Sequence, residues 1–160
     1  MLLAIDPGNI ESGYVILDEY KVIDKGKVLN EDLMFKIAYD VIFKNIDQAV
    51  IERIASYGMA TGQTVFDTCV WIGRFQQLLI ENNVDVALVF RKDVKMNICG
   101  QTRAKDSNII QALIDRFAPN TPNRGKGKKA SPGYFYGFKA DIWQAFALGV
   151  TWQDMREVKK

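Results

Sequence analysis

The chain of 160 residues suffices for one domain with a full hydrophobic core, and its lack of histidine excludes Ser-His and Cys-His triads, imidazole bases and most zinc sites. Cys69 and Cys99 show no CxxC spacing, which suits a reducing cytoplasm, and no run approaches the roughly 20 apolar residues of a membrane span. The net charge of +2 conceals an asymmetry, 6 basic and 10 acidic residues over 1–60 against 11 basic and 3 acidic over 91–139, which suggests either a polyanion partner held beside a carboxylate site or a lopsided solvated surface.

The N-terminus is a strand pattern without a basic leader region, so no signal peptide is expected. LLAID is the first strand, SGYVILD the second and YKVIDKGKV the third, turning at Asp18 and Glu19. Their short connections predict an antiparallel meander. NEDLMFKIAYDVIFKNI follows as a helix capped by Asn30 or Glu31, with Leu33, Ile37, Ala38, Val41 and Ile42 at helical spacing. AVIERI is a short apolar strand with a charge inside it. Residues 61–82 predict a second helix, with Val65, Val70, Phe75, Leu78 and Leu79 inward. VDVALVF, nearly all apolar, suits a central parallel strand.

A third helix is expected over residues 104–117. PNTPNRGKGKKASPG then predicts a mobile basic loop over about 119–134. A last helix over 137–156 turns Ile142, Ala145, Phe146 and Leu148 inward. No internal repeat is visible. The order predicts a single domain over 1–160 with an α/β fold. Its five-stranded mixed sheet, three antiparallel strands and then parallel ones, carries helices on both faces.

Three carboxylates interrupt apolar elements, where a charge is costly unless paired or metal-bound. Asp6 ends the first strand, Glu52 sits inside AVIERI, and Asp141 opens the last helix. Singly, Asp141 reads as a first-turn acid favoured by the helix dipole, and Glu52 as a partner for Arg53 or a surface lysine. Converging on one sheet end, the three would repel unless a divalent cation neutralised them. Oxygen-only donors favour Mg²⁺, with Mn²⁺ as a substitute. Such ions serve phosphoryl chemistry by the two-metal route, at ~3.5–4 Å separation.

The segment RGKGKK offers Arg124, Lys126, Lys128 and Lys129 either to phosphates, with steep salt dependence, or to solvent. Tyr134, Phe135 and Tyr136 suit base stacking or the anchoring of the last helix. Trp71 and Phe75 share one helical face with two readings, core packing or, with Val70, a two-fold interface. Arg74 has the same two options as any lone arginine, a phosphate or solvent.

AIDPGNIESGYVILD resembles the first motif of RuvC-type Holliday junction resolvases. VIERI, DVKMNICGQTRAKDSNIIQALI and KADIWQAFALG are similar to the family's later segments, in order and over nearly the whole chain. The divergent motifs look most like a phage-encoded version, of the lactococcal bacteriophage kind, acting in the host cytoplasm. The resemblance implies the ribonuclease H-like fold and a Mg²⁺-dependent, structure-selective endonuclease. Such an enzyme cuts four-way junctions, and forks and flaps, by paired phosphodiester hydrolysis that leaves a 5′-phosphate and a 3′-hydroxyl.

Asp6, Glu52 and Asp141 match three catalytic metal ligands, for one or two ions per subunit. Lys95 and, with a one-residue gap, Lys105 match catalytic basic residues near the scissile phosphate. Expected DNA contacts are Arg74, Arg103, Arg124, Lys126, Lys128, Lys129 and Tyr57, the last because the family's wedge position is Ala55 here. A homodimer through the helix bearing Val70, Trp71 and Phe75 is implied, with no membrane partner. The family's fourth ligand, an Asp or His three residues before the last Asp, is replaced by Phe138, and the neighbouring Lys139 cannot ligate while protonated. That departure supports an alternative reading, a non-catalytic module of the same fold that binds branched DNA. An actin-like ATPase would need a second Gly/Thr-rich phosphate loop, and none is evident.

Overall fold

The computed structural model describes residues 1–56 and 58–158. The meander is β1 (Leu2–Asp6), β2 (Glu11–Asp18) and β3 (Lys21–Leu29), followed by α1 (Asn30–Phe43), β4 (Gln48–Arg53), α2 (Gln63–Glu81) and β5 (Asp85–Phe90). The sheet order is β3-β2-β1-β4-β5. The first three strands pair antiparallel, and β1–β4 and β4–β5 pair parallel. After the sheet come α3 (Arg91–Cys99), α4 (Asp106–Phe117), a 3₁₀ turn (Pro122–Gly125), a hairpin of β6 (Gly127–Lys128) and β7 (Ser131–Pro132), and α5 (Ile142–Glu157). The five-stranded mixed sheet with helices on both faces is as expected.

The period-two alternation of the strands divides the core into two layers. Leu3, Ile5, Tyr14, Ile16, Ala49 and Ile51 pack against Leu33 and Ile37 of α1 and Ile72, Phe75 and Leu79 of α2. Leu2, Ala4, Val15, Leu17 and Val50 face the other way, toward Val94 of α3, Ile109 and Leu113 of α4, and α5. Every residue of α5 from Ile142 to Thr151 is buried, so the helix runs through the middle of its layer. Gly149 permits its close seat on the sheet, since a β-carbon there would lie 2.7 Å from Leu17 Cδ1.

Several expectations need correction. Residues 91–99 form a helix where none was expected, because RKDVKMNIC buries only Val94 and shows little apolar period. Gly100, at φ +70°, ends it in the left-handed conformation. The last helix starts at Ile142 rather than 137, since Gly137 (φ +76°) and Ala140 (φ +41°) cannot continue a right-handed helix. Asn30 is not a cap; Leu29 holds that position and Asn30 is the first helical residue. Ile42 and Val70 face solvent, not the core.

The Lys-rich segment carries local structure. Its 3₁₀ turn and hairpin are tied down by Phe135 N–H donating to the Gly125 carbonyl (2.9 Å) and Gly133 N–H to that of Lys126 (3.0 Å). Among the described residues no helix is long and apolar enough to cross a membrane.

Candidate functional site

The chain leaves β1 through Asp6-Pro7-Gly8. Pro7 has no N–H to extend a ladder, and a β-carbon on Gly8 would lie 2.3 Å from the Glu11 carbonyl oxygen. Buried Ser12 and Asn30 lock this turn. Gly8 N–H donates to Ser12 Oγ (3.2 Å), Ser12 Oγ–H to Asn30 Oδ1 (2.6 Å), and Asn30 Nδ2 to the Gly8 carbonyl (2.9 Å). The end of β1 is therefore rigidly held.

Strand register brings the carboxylates together. Ile5 pairs with Ile51 across β1 and β4, and the next rung sets Asp6 beside Glu52. Both follow isoleucines that face the α1–α2 layer, so their own side chains turn toward α5. Across β1 and β2, Asp6 pairs with Gly13. Asp141, at the N-cap of α5, lies directly over that glycine. A β-carbon on Gly13 would be 2.6 Å from the Asp141 carbonyl oxygen and 2.8 Å from its Cβ. Sequence reasoning passed over Gly13, although a glycine inside a strand often marks a close backbone approach.

The three carboxylates differ in their partners. Glu52 Oε2 accepts from Arg91 Nη1 at 3.1 Å, and Arg91 Nη2 reaches Asp106 Oδ1 at 2.7 Å. Asp141 Oδ2 lies 2.8 Å from Lys27 Nζ. The Asp6 carboxylate has no hydrogen bond or ion pair among the described residues. Burial and then the charge of Glu52 push its pKa up to about 8, with Asp141 and Asp106 adding to the rise and Arg91 opposing it. Burial likewise raises the Glu52 pKa, against the pull of Arg91 and Lys95.

As the side chains stand, no three carboxylates among the described residues converge on a single ion position. Their chemistry nevertheless fits a hard divalent cation: oxygen donors only, and at their centre a largely buried carboxylate without a counter-charge. Phe138 offers no donor to such an ion. That side chain is fully buried, with ring centroids 5.1 Å from Phe135 and 4.9 Å from Trp143.

Lys95 joins Arg91, Lys92 and Thr102 around a cavity of about 320 Å³. Lys105 and Arg103 are exposed near the start of α4 and form no ion pair among the described residues. Arg124, Lys128 and Lys129 are exposed on the 3₁₀ turn and hairpin, and Lys126 is half-buried there. Phe135 is fully buried, which removes it as a base-stacking platform. The Tyr134 hydroxyl donates to the Tyr20 carbonyl, whereas Tyr136 is exposed.

Arg74, Val70, Trp71 and Phe75 lie on α2, across the sheet from the carboxylates, and the Arg74 guanidinium sits 4.1 Å above the Trp71 ring. Phe75 is fully buried in the α1–α2 layer, which corrects its expected place at an interface. Val70 is 61% exposed and Trp71 half-buried. Tyr57 lies outside the described residues.

The residues that sequence reasoning missed are Gly13, Arg91, Lys27 and Asp106. Lys27 faces Gly13 in the β2–β3 register, a pairing that no local pattern announces. Asp106 reads as an ordinary first-turn acid of α4.

No protein-family model and no curated protein matches the chain. Solved structures do match in fold. Thermus thermophilus RuvC in complex with a Holliday junction substrate superposes with a TM-score of 0.73 at 12% identity, covering 99% of this chain and 95% of that one. Thermus thermophilus RuvC in a second structure gives 0.65 at 14% identity, with 98% and 96% covered. A Fowlpox virus resolvase in complex with Holliday junction DNA gives 0.57 at 16% identity, with 97% and 99% covered. The chain thus has the ribonuclease H-like α/β fold of these resolvases.

Proposed function

We propose that this chain is a divalent-metal-dependent endonuclease that cuts branched DNA, four-way junctions foremost, with forks and flaps as related substrates. The observation that carries the reading is the approach of Asp6, Glu52 and Asp141 at one sheet end, beside the cavity lined by Arg91, Lys92 and Lys95. The fold it shares with two resolvases solved on Holliday junction DNA supports the substrate class. The divergence of its motifs suits a phage-encoded version working in the host cytoplasm.

One or two Mg²⁺ ions, or Mn²⁺ in their place, would be held by Asp6, Glu52 and Asp141. When bound, they supply an activated water and neutralise charge on the leaving oxygen. The chain's own residues do the rest. The locked Asp6 turn gives one donor a fixed position, and Gly13 lets Asp141 stand beside it. Lys95, with Arg91 and Lys92, draws a phosphodiester toward the carboxylates that would otherwise repel it. Lys105, Arg103 and the cations at 124, 126, 128 and 129 extend the positive surface for duplex arms. A four-way junction is two-fold symmetric, so productive resolution takes two paired cuts. A homodimer through the exposed part of α2, Val70 and Trp71, would supply both.

A synthetic four-way junction with labelled strands, incubated in Mg²⁺, tests the reading: symmetric nicks are expected. The alternative, a binding module without catalysis, is favoured by the burial of Phe138 in an aromatic cluster. It predicts tight junction binding with no nicks in either Mg²⁺ or Mn²⁺.

A further inference from the structure

Two of the candidate ligands are held by cations of the chain, and each cation is shared with a second carboxylate farther out. Arg91 spans Glu52 (3.1 Å) and Asp106 (2.7 Å). Lys27 spans Asp141 (2.8 Å) and Glu11 (3.6 Å). In each pair the outer carboxylate is the more exposed: Asp106 at 62% against 17% for Glu52, and Glu11 at 47% against 39% for Asp141. Asp6, between the two pairs, has no cation partner among the described residues.

The geometry points to Arg91 and Lys27 as internal counter-ions that compete with the divalent cation and are passed to Asp106 and Glu11 when it enters. The inference rests on reading Asp6, Glu52 and Asp141 as the ligands. Without an ion, three neighbouring carboxylates repel, and two protein cations relieve part of that repulsion. A divalent ion brings the same two positive charges. Its entry would leave Arg91 unpaired at a largely buried position, a costly state for a charge, and Lys27 unpaired at a partly exposed one, where the cost is smaller. The outer carboxylates remove that penalty, because each already lies within reach of the cation it would receive. Arg91 needs only to release one arm of its fork, and Lys27 only to close on Glu11. Arg91 also lines the cavity with Lys92, Lys95 and Thr102, so its freed Nη1 can donate to a phosphate there.

Calorimetric titration of Mn²⁺ into EDTA-stripped, full-length protein tests this without reference to cleavage. Arg91→Gln and Lys27→Gln should each bind Mn²⁺ about tenfold more tightly than wild type, as expected on removing an opposite charge that competes for a carboxylate. Asp106→Asn and Glu11→Gln should each bind it more weakly, because the cation then rests wholly on Glu52 or Asp141. Arg91→Lys keeps the competing charge and should return affinity toward wild type, which a merely structural role for Arg91 would not produce. Should Arg91→Gln fail to fold, Lys27→Gln at the separate β3 position carries the test. Unchanged or weaker binding in folded Gln variants, or tighter binding in Asp106→Asn, would overturn the exchange while leaving the metal site intact. A wild-type protein that takes up no Mn²⁺ would instead remove the metal reading itself, and the exchange with it.

Discussion

Asp6 concentrates the chemistry of the site in one side chain. Burial and the charge of Glu52 push its pKa up to about 8 in the folded chain, against 3.8 for an ordinary aspartate. The native state therefore binds more protons than the unfolded chain between about pH 4 and 8. Stability of the metal-free protein should fall as pH rises through that window, and below it the effect should vanish. Asp6→Asn removes this penalty. In EDTA it should raise unfolding stability by on the order of 5 kcal/mol at pH 9 and by about zero at pH 4. The same variant should bind junctions and not nick them. Urea unfolding at the two pH values gives the check, and an equal effect at both would mean that Asp6 is not the strained group. Gly13→Ala acts on the same cluster by sterics alone. Its methyl would meet Asp141 at 2.6–2.8 Å, so a loss of roughly 1–3 kcal/mol is expected, and nicking should fall more than junction binding.

Among the elements, α2 divides its large side chains between two duties. Phe75 is fully buried against the sheet, and Phe75→Ala should cost about 3–5 kcal/mol in thermal or urea unfolding. Val70, on the outer surface, should contribute little to the monomer. Val70→Lys should keep the fold within ~0.5 kcal/mol yet shift sedimentation equilibrium at micromolar concentration from dimer to monomer. A protein that is monomeric in the wild type, with one copy per junction, would leave a nicking enzyme rather than a paired-cut resolvase. The exposed row on α1, where Tyr39 and Phe43 stack at 4.3 Å, adds apolar surface on the same side of the sheet.

For the molecule as a whole, the charge asymmetry acquires a spatial meaning. The carboxylates of β1 and β4 turn toward α5, and the cations of α3 line a cavity beside them. Along the chain, the 3₁₀ turn and hairpin carry further cations before the start of α5. Lys126, Lys128 and Lys129 changed together to Ala should weaken junction binding with the fold intact, since none of the three is a core residue. Each lysine–phosphate pairing removed in this way should flatten the log–log salt dependence by roughly 0.9 for duplex arms. A slope identical to wild type would show that this hairpin points away from DNA.

Much of this architecture is legible in one dimension because burial is periodic. Alternation marks the strands of the meander, and Asp6, Glu52 and Asp141 stand out because a charge inside an apolar run is costly. Local pattern fails where it is weak or where backbone conformation intervenes, as in α3, with one buried residue in nine, and at Ala140, whose positive φ delays α5. Periodicity tells which face a residue occupies but not which distant residue it meets. The Arg91–Glu52 contact joins positions 39 apart, Lys27 reaches Asp141 only because β3 sets it opposite Gly13, and Phe138 turns into an aromatic cluster drawn from α5 and the segment before it. Sequence alone thus determined the order of the five sheet strands, the strongly periodic helices and the out-of-place carboxylates. Register and packing, which depend on the whole chain closing at once, decided which cations hold those carboxylates and which aromatics the core consumes.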